Sequence, residues 1–333
     1  MSTKPNILIV ILNFNGWQET LTCVDAVLQQ TYKDFHIYLI ENGSKDDSIK
    51  RLNGYENHDK ITYVKNPKNL GFAGGVNQGI RHAIEKDYEY VALLNNDARV
   101  SDEWLERLLA ASKEVGSSAT TGLLLNGDGT KIESTGDSYS DWGLPFPRQR
   151  DEDISAARDS EFVFGGTAGA SLYKTELFKD IGLFDETFFA YFEDTDISFR
   201  AQLAGHTAYY TKDALAYHDH GTTSSKIPGF TVYQSFKNLP LFFWKDVPLG
   251  MLFITGLRFF ACYGLMYVRA ILRGQFAPAT KGVLRSITLL PHAFKERWRI
   301  QRNKRVTLSY LRSIIHNGLP PNNKKYARRI FHR

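Results

Sequence analysis

Three short polar clusters in this chain carry residue types that can do chemistry together. They are Asn95-Asn96-Asp97, which follows an apolar run, Glu193-Asp194-Thr195-Asp196 in an aromatic segment, and His218-Asp219-His220 just before Gly221. A hard divalent cation prefers oxygen ligands and accepts an imidazole, and it neutralises a diphosphate. A nearby carboxylate can remove the proton from a sugar hydroxyl group. The combination predicts transfer of a sugar from a nucleotide sugar, with the cation bound at the diphosphate.

Each cluster also has a simpler explanation when it is taken alone. Asp97 suits an Asx turn after a strand, Asp194 suits the cap of a helix, and single histidines are common at protein surfaces. For Asp194 we predict the first turn of a helix, where the helix dipole keeps a carboxylate ionised and able to accept a proton. For the cation site we predict His218 together with Asp97, and His220 remains the competing imidazole.

Apolar runs place these clusters at one edge of a predicted sheet. Residues 7–12, 36–40, 61–64 and 90–94 are short runs rich in apolar side chains, which is typical of strands covered on both faces. Predicted helices lie between them, and this alternation predicts an α/β fold with a parallel sheet. Ligands bind beyond the carboxyl ends of strands in such sheets. The loops at that edge begin at three residues: Asn13, Glu41 and Asn95.

Other segments around the predicted site have more than one interpretation. Glycine-rich residues 69–79 could hold phosphate with backbone amides at a helix start, or could simply allow a tight entry to that helix. Polar, proline-bearing residues 133–159 show no clear period, and we predict a mobile loop over the site. On the helix predicted from Asp194, Arg200 either forms an ordinary ion pair with Asp196 at i,i+4 or faces the diphosphate.

The charge of the chain is divided unevenly along its length. Residues 226–333 contain 20 Lys and Arg against two acidic residues, whereas residues 1–225 contain 21 Lys and Arg against 34 Asp and Glu. Because 333 residues exceed what one core usually fills, we predict a catalytic domain at 1–225 and a basic, aromatic-rich helical region at 226–333. Phe, Leu, Ile, Tyr and Trp are interleaved with its basic residues, which favours a membrane surface over nucleic acid.

A long apolar stretch at residues 249–272 lies in this basic region. Arg258 lies near its middle and Arg269 near its end, and a central Arg costs roughly 2.5–3.5 kcal/mol on membrane-insertion scales. The two arginines are about three helical turns apart and therefore share a face. We predict a helix in the plane of an anionic membrane surface, with packing on the catalytic domain or on a dimer partner as the alternative.

The number of cysteines and the N-terminal residues indicate the cellular compartment of the protein. Cys23 and Cys262 are too few for a disulfide framework, and a reducing compartment fits them. The N-terminal residues lack the pattern of a signal peptide. We therefore expect a cytoplasmic protein, peripheral on the cytoplasmic face of the inner membrane.

Seven short motifs follow one another between residues 7 and 224. They are Ile-Leu-Asn-Phe-Asn-Gly at 11–16, Glu-Asn-Gly-Ser at 41–44, Asn-Leu-Gly-Phe-Ala-Gly-Gly at 69–75, Leu-Leu-Asn-Asn-Asp at 93–97, Gly-Leu-Phe-Asp-Glu-Thr-Phe-Phe at 182–189, Tyr-Phe-Glu-Asp-Thr-Asp at 191–196 and Tyr-His at 217–218. In this order they make the chain resemble the family 2 glycosyltransferases, and within them the bacterial rhamnosyltransferase-like branch. The resemblance implies the GT-A fold of nucleotide-diphospho-sugar transferases with a mostly parallel central sheet, an inverting reaction, and Mg²⁺ or Mn²⁺.

The resemblance also implies roles by position. Asp97 corresponds to the cation-binding carboxylate, His218 to an additional metal ligand, and Asp194 to the general base. Asn95 stands where the first Asp of the family's metal site usually is, and Glu41 stands where an Asp commonly contacts the donor base or ribose. We predict donor contacts from eight residues: Asn13, Asn15, Glu41, Asn69, Gly74, Asn95, Asn96 and Arg200.

The resemblance carries the most specific functional prediction. It implies transfer of L-rhamnose from dTDP-rhamnose to a surface-polysaccharide acceptor, either a nascent glycan or one linked to a polyprenyl diphosphate. Another hexose or galactofuranose from a UDP-sugar is the close alternative. A sugar nucleotidyltransferase, or a sugar-binding scaffold without activity, is the alternative of a different class. A nucleotidyltransferase needs a triphosphate loop with a nearby lysine, and neither is clear in the sequence.

Overall fold

The computed structural model describes residues 6–218 and 227–321. Within these residues the strands are β1 (Ile7–Asn13), β2 (Phe35–Glu41), β3 (Ile61–Lys65), β4 (Tyr90–Asn95), β5 (Ala98–Val100), β6 (Ala119–Asn126), β7 (Ile132–Ser134), β8 (Asp137–Tyr139), β9 (Pro145–Pro147), β10 (Glu161–Val163), β11 (Ala170–Lys174) and β12 (Ala208–His218). The α-helices are α1 (Trp17–Leu28), α2 (Ser48–Leu52), α3 (Gly71–Glu85), α4 (Trp104–Val115), α5 (Thr175–Ile181), α6 (Glu193–Leu203), α7 (Phe230–Asp246), α8 (Leu249–Leu272), α9 (Phe276–Arg302) and α10 (Leu308–Ile314). The predicted boundary at residue 225 and the competing His220 lie outside the described residues.

One ten-stranded sheet forms the centre of the fold. In the order β3-β2-β1-β4 neighbouring strands are parallel, so that Ile9 pairs with Ile37 on one side and with Ala92 on the other. Beyond β4 the sheet is mixed, because β11 lies between β4 and β6 and runs antiparallel to both, whereas β12 is parallel to β6. The prediction of parallel strands therefore holds for the half of the sheet formed by β1 to β4. It does not extend to the other half, because an apolar run in the sequence predicts a strand without fixing its direction.

Helices cover both faces of this sheet. Val10 of β1 belongs to a core cluster with Ile80 of α3, and Ile9 belongs to the cluster on the opposite face with Val24 of α1. Successive side chains of a strand point to opposite faces, so a strand covered on both sides needs apolar residues throughout. This arrangement explains the continuous apolar run at residues 7–12.

Residues 133–159 are folded rather than loop-like. They contain β8 and β9, which pair with each other, and they follow directly from β7, which pairs with β6. Tyr139 of β8 is fully buried, and its ring packs against Phe164 at a centroid distance of 5.9 Å. The prediction of a mobile loop is wrong, because strands of three residues are too short to show a period in the sequence.

The carboxy-terminal helices pack against α6, the β8–β9 pair and neighbouring loops through a third core cluster. Phe242 and Phe243 of α7 share this cluster with Tyr139 of β8 and Phe199 of α6. Helix α7 also packs along α9. Helix α8 is long and apolar enough to cross a membrane by length and composition, and 22% of its most apolar stretch is buried. The basic region is therefore helical, and α7 anchors it on the half that carries the polar clusters.

Candidate active site

The three side chains predicted to do the chemistry line one cleft of about 710 Å³. Asp97 lies in the tight turn between β4 and β5, His218 is the last residue of β12, and Asp194 is the second residue of α6. Strands β4 and β12 end at the same edge of the sheet, where the parallel half also has its carboxyl ends. The sheet and α6 thus bring together residues that are 97 and 24 positions apart in sequence.

His218 is held between two carboxylates. Its Nε2 atom lies 2.9 Å from Asp97 Oδ1, and its Nδ1 atom lies 3.0 Å from each carboxylate oxygen of Glu133. Burial lowers the pKa of His218, but the hydrogen bonds to Asp97 and Glu133 outweigh burial and raise the pKa to about 10. Asn95 Nδ2 approaches the same Nε2 atom at 3.5 Å.

Asp97 and His218 present atoms that fit a hard divalent cation once His218, which its raised pKa keeps protonated near neutral pH, has lost the proton on Nε2. A carboxylate oxygen suits Mg²⁺ and Mn²⁺, and Mn²⁺ also accepts an imidazole nitrogen. Glu133 on Nδ1 fixes the imidazole ring, as a carboxylate commonly does for a metal-binding histidine. In the described ranges 6–218 and 227–321, no group of three or more His, Cys, Asp or Glu side chains could hold a metal ion. Among the residues that the structure describes, Asp97 and His218 are therefore the two ligands offered here, and these two alone do not complete the coordination of a cation.

Asp194 lies in the first turn of α6, where the sequence predicts it. Its Oδ1 atom accepts a hydrogen bond of 2.7 Å from the Thr195 amide. Burial raises the pKa of Asp194, and hydrogen bonds from the backbone oppose that rise without cancelling it. The expectation that the helix start favours the ionised carboxylate is thus outweighed by burial. A general base with a raised pKa is better matched to proton transfer near neutral pH.

Two more carboxyl groups lie beside Asp194 in the cleft. Burial, with the charge of Asp194 as the second cause, raises the pKa of Glu193 to about 8. The same two causes raise the pKa of Asp137 on β8 well above its ordinary value. The sequence analysis did not identify Glu133 and Asp137 as site residues, because their segment shows no periodic pattern of apolar residues that would predict a strand or helix. The usable signal was that two carboxylates bracket the small residues 134–136.

The side chains of Asn13 and Glu41 are buried and form hydrogen bonds that hold the loops after β1 and β2. Both side chains are 0% exposed. Glu41 accepts a hydrogen bond from Asn13 Nδ2, one of 2.6 Å from the Ser44 amide, and one of 3.0 Å from Ser44 Oγ. Asn15 joins the same network, because its amide donates to Ser44 Oγ at 2.9 Å and its Oδ1 accepts from the Lys45 amide at 2.7 Å. The expected direct contacts of Asn13 and Glu41 with the donor are corrected here, since fully buried side chains shape the loops instead.

Asn69, Asn95 and Asn96 do line the cleft. Asn69 Oδ1 accepts a 2.7 Å hydrogen bond from the Gly71 amide and so fixes the start of α3. Asn96 Nδ2 donates to Thr20 Oγ1 at 2.9 Å, which ties the β4–β5 turn to α1. These three amides are placed where a donor could reach them.

The glycine-rich stretch packs α3 rather than cradling phosphate. The first amides of α3 are occupied, because Phe72 N and Ala73 N donate to the Phe189 carbonyl at 2.6 and 3.3 Å. Gly74 is buried, and a Cβ there would lie 3.1 Å from Leu70 Cβ. A Cβ on Gly75 would lie 2.4 Å from a Leu12 methyl group. The predicted phosphate contact of Gly74 is therefore corrected, and tight entry to a closely packed helix explains the glycines.

Arg200 is part of a buried ion network and does not face the cleft. It is 2% exposed, and it donates to Asp196 Oδ2 at 2.9 and 2.7 Å. Its remaining N–H groups donate to the carbonyl oxygens of residues 181, 182 and 183 at 2.8–3.3 Å. Lys245 of α7 pairs with the same Asp196. The i,i+4 ion pair is the correct alternative, and the prediction that Arg200 contacts the diphosphate is wrong.

Replacing Arg200 with Leu is expected to lower the free energy of unfolding by about 3–5 kcal/mol. The change leaves a buried carboxylate with one cation fewer and leaves backbone carbonyl oxygens without their donor. Urea unfolding followed by circular dichroism measures the loss. Arg107→Leu is the matched control, because Arg107 pairs with Glu103 at the same i,i+4 spacing at the surface, where solvent screens the pair and its contribution to stability is small. Equal losses in the two variants would contradict the buried role.

The sheet topology, with a cleft at the strand ends and a charged turn after β4, is that of the GT-A fold. Solved structures share this fold. Staphylococcus aureus TarS (residues 1–349) aligns with a TM-score of 0.54 and 15% identity over 89% of this chain and 89% of that one. The mannosyltransferase PcManGT from Pyrobaculum calidifontis, solved with GDP-Man and Mn²⁺, aligns with a TM-score of 0.53 and 14% identity over 90% of this chain and 88% of that one.

The chain belongs to glycosyltransferase family 2. Residues 8–182 match the family described as "Glycosyl transferase family 2". The low-salt glycan biosynthesis hexosyltransferase Agl10 of Haloferax volcanii is 22% identical over 200 residues, which cover 58% of this chain and 63% of that relative. The dTDP-rhamnosyl transferase RfbF of Shigella flexneri is 22% identical over 229 residues, which cover 69% of this chain and 74% of that relative.

Proposed function

We propose that this protein is an inverting, metal-dependent glycosyltransferase that transfers L-rhamnose from dTDP-rhamnose to a surface-polysaccharide acceptor. The observation that carries the proposal is the convergence of Asp97, Asp194 and His218 on one cleft. The likeness to a dTDP-rhamnosyl transferase over 69% of this chain supports the donor.

The roles of the residues follow from their positions. Asp97 Oδ1 and His218 Nε2, after loss of its proton, would hold Mg²⁺ or Mn²⁺, and Glu133 keeps the imidazole in the orientation that this would require. When bound, the cation supplies positive charge that stabilises the departing nucleoside diphosphate. Asp194 accepts the proton of the acceptor hydroxyl as the oxygen attacks the anomeric carbon from the face opposite the leaving group. A single displacement of this kind inverts the anomeric configuration.

A panel of nucleotide sugars tests the donor directly. The full chain is heated with dTDP-rhamnose, UDP-galactose, UDP-galactofuranose or GDP-mannose, each with Mn²⁺, Mg²⁺ or a chelator. A ligand that binds the native state raises the unfolding temperature, so dTDP-rhamnose with a cation is expected to give the largest rise. Release of dTDP on adding a polyprenyl-diphosphate-linked glycan then tests for transfer. A larger rise with a UDP- or GDP-sugar would overturn the rhamnose assignment.

We also propose that α8 and α9 seat the enzyme on an anionic membrane surface. Large apolar side chains of α8 are exposed, including Phe253 at 78% and Leu257 at 64%. Arg258, which the sequence places on the same helix face as Arg269, pairs with Asp141 of the catalytic half. Exposed basic residues lie on the same two helices and in the turn between them: Arg269, Arg273, Lys281, Arg285, Lys295, Arg299 and Arg302. An apolar face with basic neighbours suits anionic lipid headgroups.

Phe253→Asp is expected to weaken binding to phosphatidylglycerol-containing vesicles by about tenfold or more. Burying a Phe side chain contributes roughly 1.5–3 kcal/mol, and about 1.4 kcal/mol corresponds to a tenfold change in binding. Cosedimentation with vesicles measures the change. Phe162→Asp serves as the matched control, because Phe162 is also exposed, at 57%, and lies on strand β10 of the central sheet rather than on α8 or α9. Unchanged binding of the Phe253 variant would contradict a membrane role for α8.

A further inference from the structure

The segment that leads into α6 has an unusual backbone. Phe189, Tyr191 and Phe192 have φ angles of +62°, +69° and +71°. Side chains with a Cβ rarely adopt positive φ, and such a conformation persists only where the surroundings impose it. Phe192 directly precedes Glu193 and Asp194. Whatever imposes this backbone therefore also sets the position of Asp194 in the cleft.

Two buried side chains of α7 bind the carbonyl oxygens of this segment. Asn238 Nδ2 lies 3.0, 2.9 and 2.8 Å from the carbonyl oxygens of Phe188, Ala190 and Tyr191. Lys237 Nζ lies 3.0 Å from the carbonyl oxygen of Thr187 and 3.0 Å from that of Phe188. Asn238 is 0% exposed and Lys237 is 5% exposed. Together the two side chains bind the carbonyl oxygens of residues 187, 188, 190 and 191.

The other side of the segment is fixed by α3. The Phe189 carbonyl accepts hydrogen bonds from Phe72 N and Ala73 N at the start of α3. A Cβ on Gly71 would lie 2.4 Å from this same oxygen, so the close approach requires glycine at that position. The segment is thus clamped between α3 of the sheet half and α7 of the carboxy-terminal helices, with successive carbonyl groups bound on opposite sides.

From this clamp we infer that Asn238, assisted by Lys237, is a positioning residue for Asp194. The inference rests on the proposed function, in which Asp194 is the base, and it extends the catalytic unit beyond residue 225 into α7. Asn238 does not line the cleft; it acts through the backbone of residues 188–192. A small displacement of a catalytic group lowers turnover much more than it lowers substrate binding, because the reacting atoms lose their alignment.

Asn238→Leu tests the inference, since Leu has a similar volume and donates no hydrogen bond. We expect kcat to fall by about 100-fold, the effect of roughly 1 Å of misplacement. The KM for dTDP-rhamnose and the thermal stabilisation by dTDP with Mn²⁺ are expected to stay unchanged. Gln234→Leu is the matched control, because Gln234 lies one turn earlier on α7 and is 2% exposed; its kcat is expected to equal that of the wild type.

Hydrogen exchange of the peptide covering residues 186–196 gives a readout that does not require activity. Exchange is expected to become faster in Asn238→Leu and to stay unchanged in Gln234→Leu. Should Asn238→Leu fail to fold, Lys237→Met takes its place with the same expectations. Wild-type kcat in a folded variant would overturn the inference, as would a parallel loss of donor binding and turnover. If the wild type transfers no sugar, the proposed function fails, and exchange alone decides whether Asn238 holds the segment.

Discussion

Asp194→Asn is expected to lower kcat by about 10²- to 10⁴-fold, which is the usual contribution of a general base. Asn keeps the shape of the side chain but cannot accept the acceptor's proton. Donor binding, measured as thermal stabilisation by dTDP with Mn²⁺, is expected to remain. Steady-state release of dTDP in the presence of acceptor measures the loss.

The pH dependence of the wild type provides a second measurement of the same role. Burial raises the pKa of Asp194, and a base must be deprotonated to act. Turnover is therefore expected to fall as the pH drops through this raised pKa, at a higher pH than an ordinary aspartate would give. The acidic decline is expected to be absent from the residual activity of Asp194→Asn. Near-wild-type turnover in the folded variant would remove Asp194 from the role.

Glu193→Gln distinguishes the two neighbouring carboxyl groups. Burial raises the pKa of Glu193 to about 8, so this side chain is largely protonated at pH 7 and a neutral Gln resembles it. We expect a much smaller loss of kcat than in Asp194→Asn. The reverse order of effects would assign the base to Glu193.

Asp97→Ala is expected to lower turnover by on the order of 10³-fold or more, because a metal site contributes several kcal/mol of charge stabilisation. The variant is also expected to lose the cation-dependent part of its stabilisation by dTDP, which thermal unfolding with Mn²⁺ and with a chelator measures.

Glu133→Gln is expected to lower turnover by about 10- to 100-fold, since Glu133 orients His218 without binding the cation. An Asp97 variant that responds to Mn²⁺ like the wild type would contradict the cation site.

Much of the fold follows from local patterns in the sequence. The runs at residues 7–12 and 90–94 predict buried strands because each is covered by helices on both faces, and the structure has β1 and β4 there. Residues at the ends of such strands must meet at one edge, so Asp97 and His218 could be predicted to share a site. The helix start at Asp194 was likewise visible in its sequence.

The sequence by itself determined the longer strands and helices, and which polar residues stand at their ends, because burial and capping are local requirements on residue type; the three-residue strands within residues 132–147 were not visible in it. Only the tertiary structure decided what those side chains contact. From the sequence, Arg200 could either form an ion pair with Asp196 or bind the diphosphate. The structure decided for the ion pair, since α7 also places Lys245 against Asp196. Asn238 gave no local signal, and the carboxylates that bracket residues 134–136 did not reveal the partner of Glu133. A hydrogen bond to His218 or to the carbonyl groups before α6 depends on packing between segments 50 to 85 residues apart.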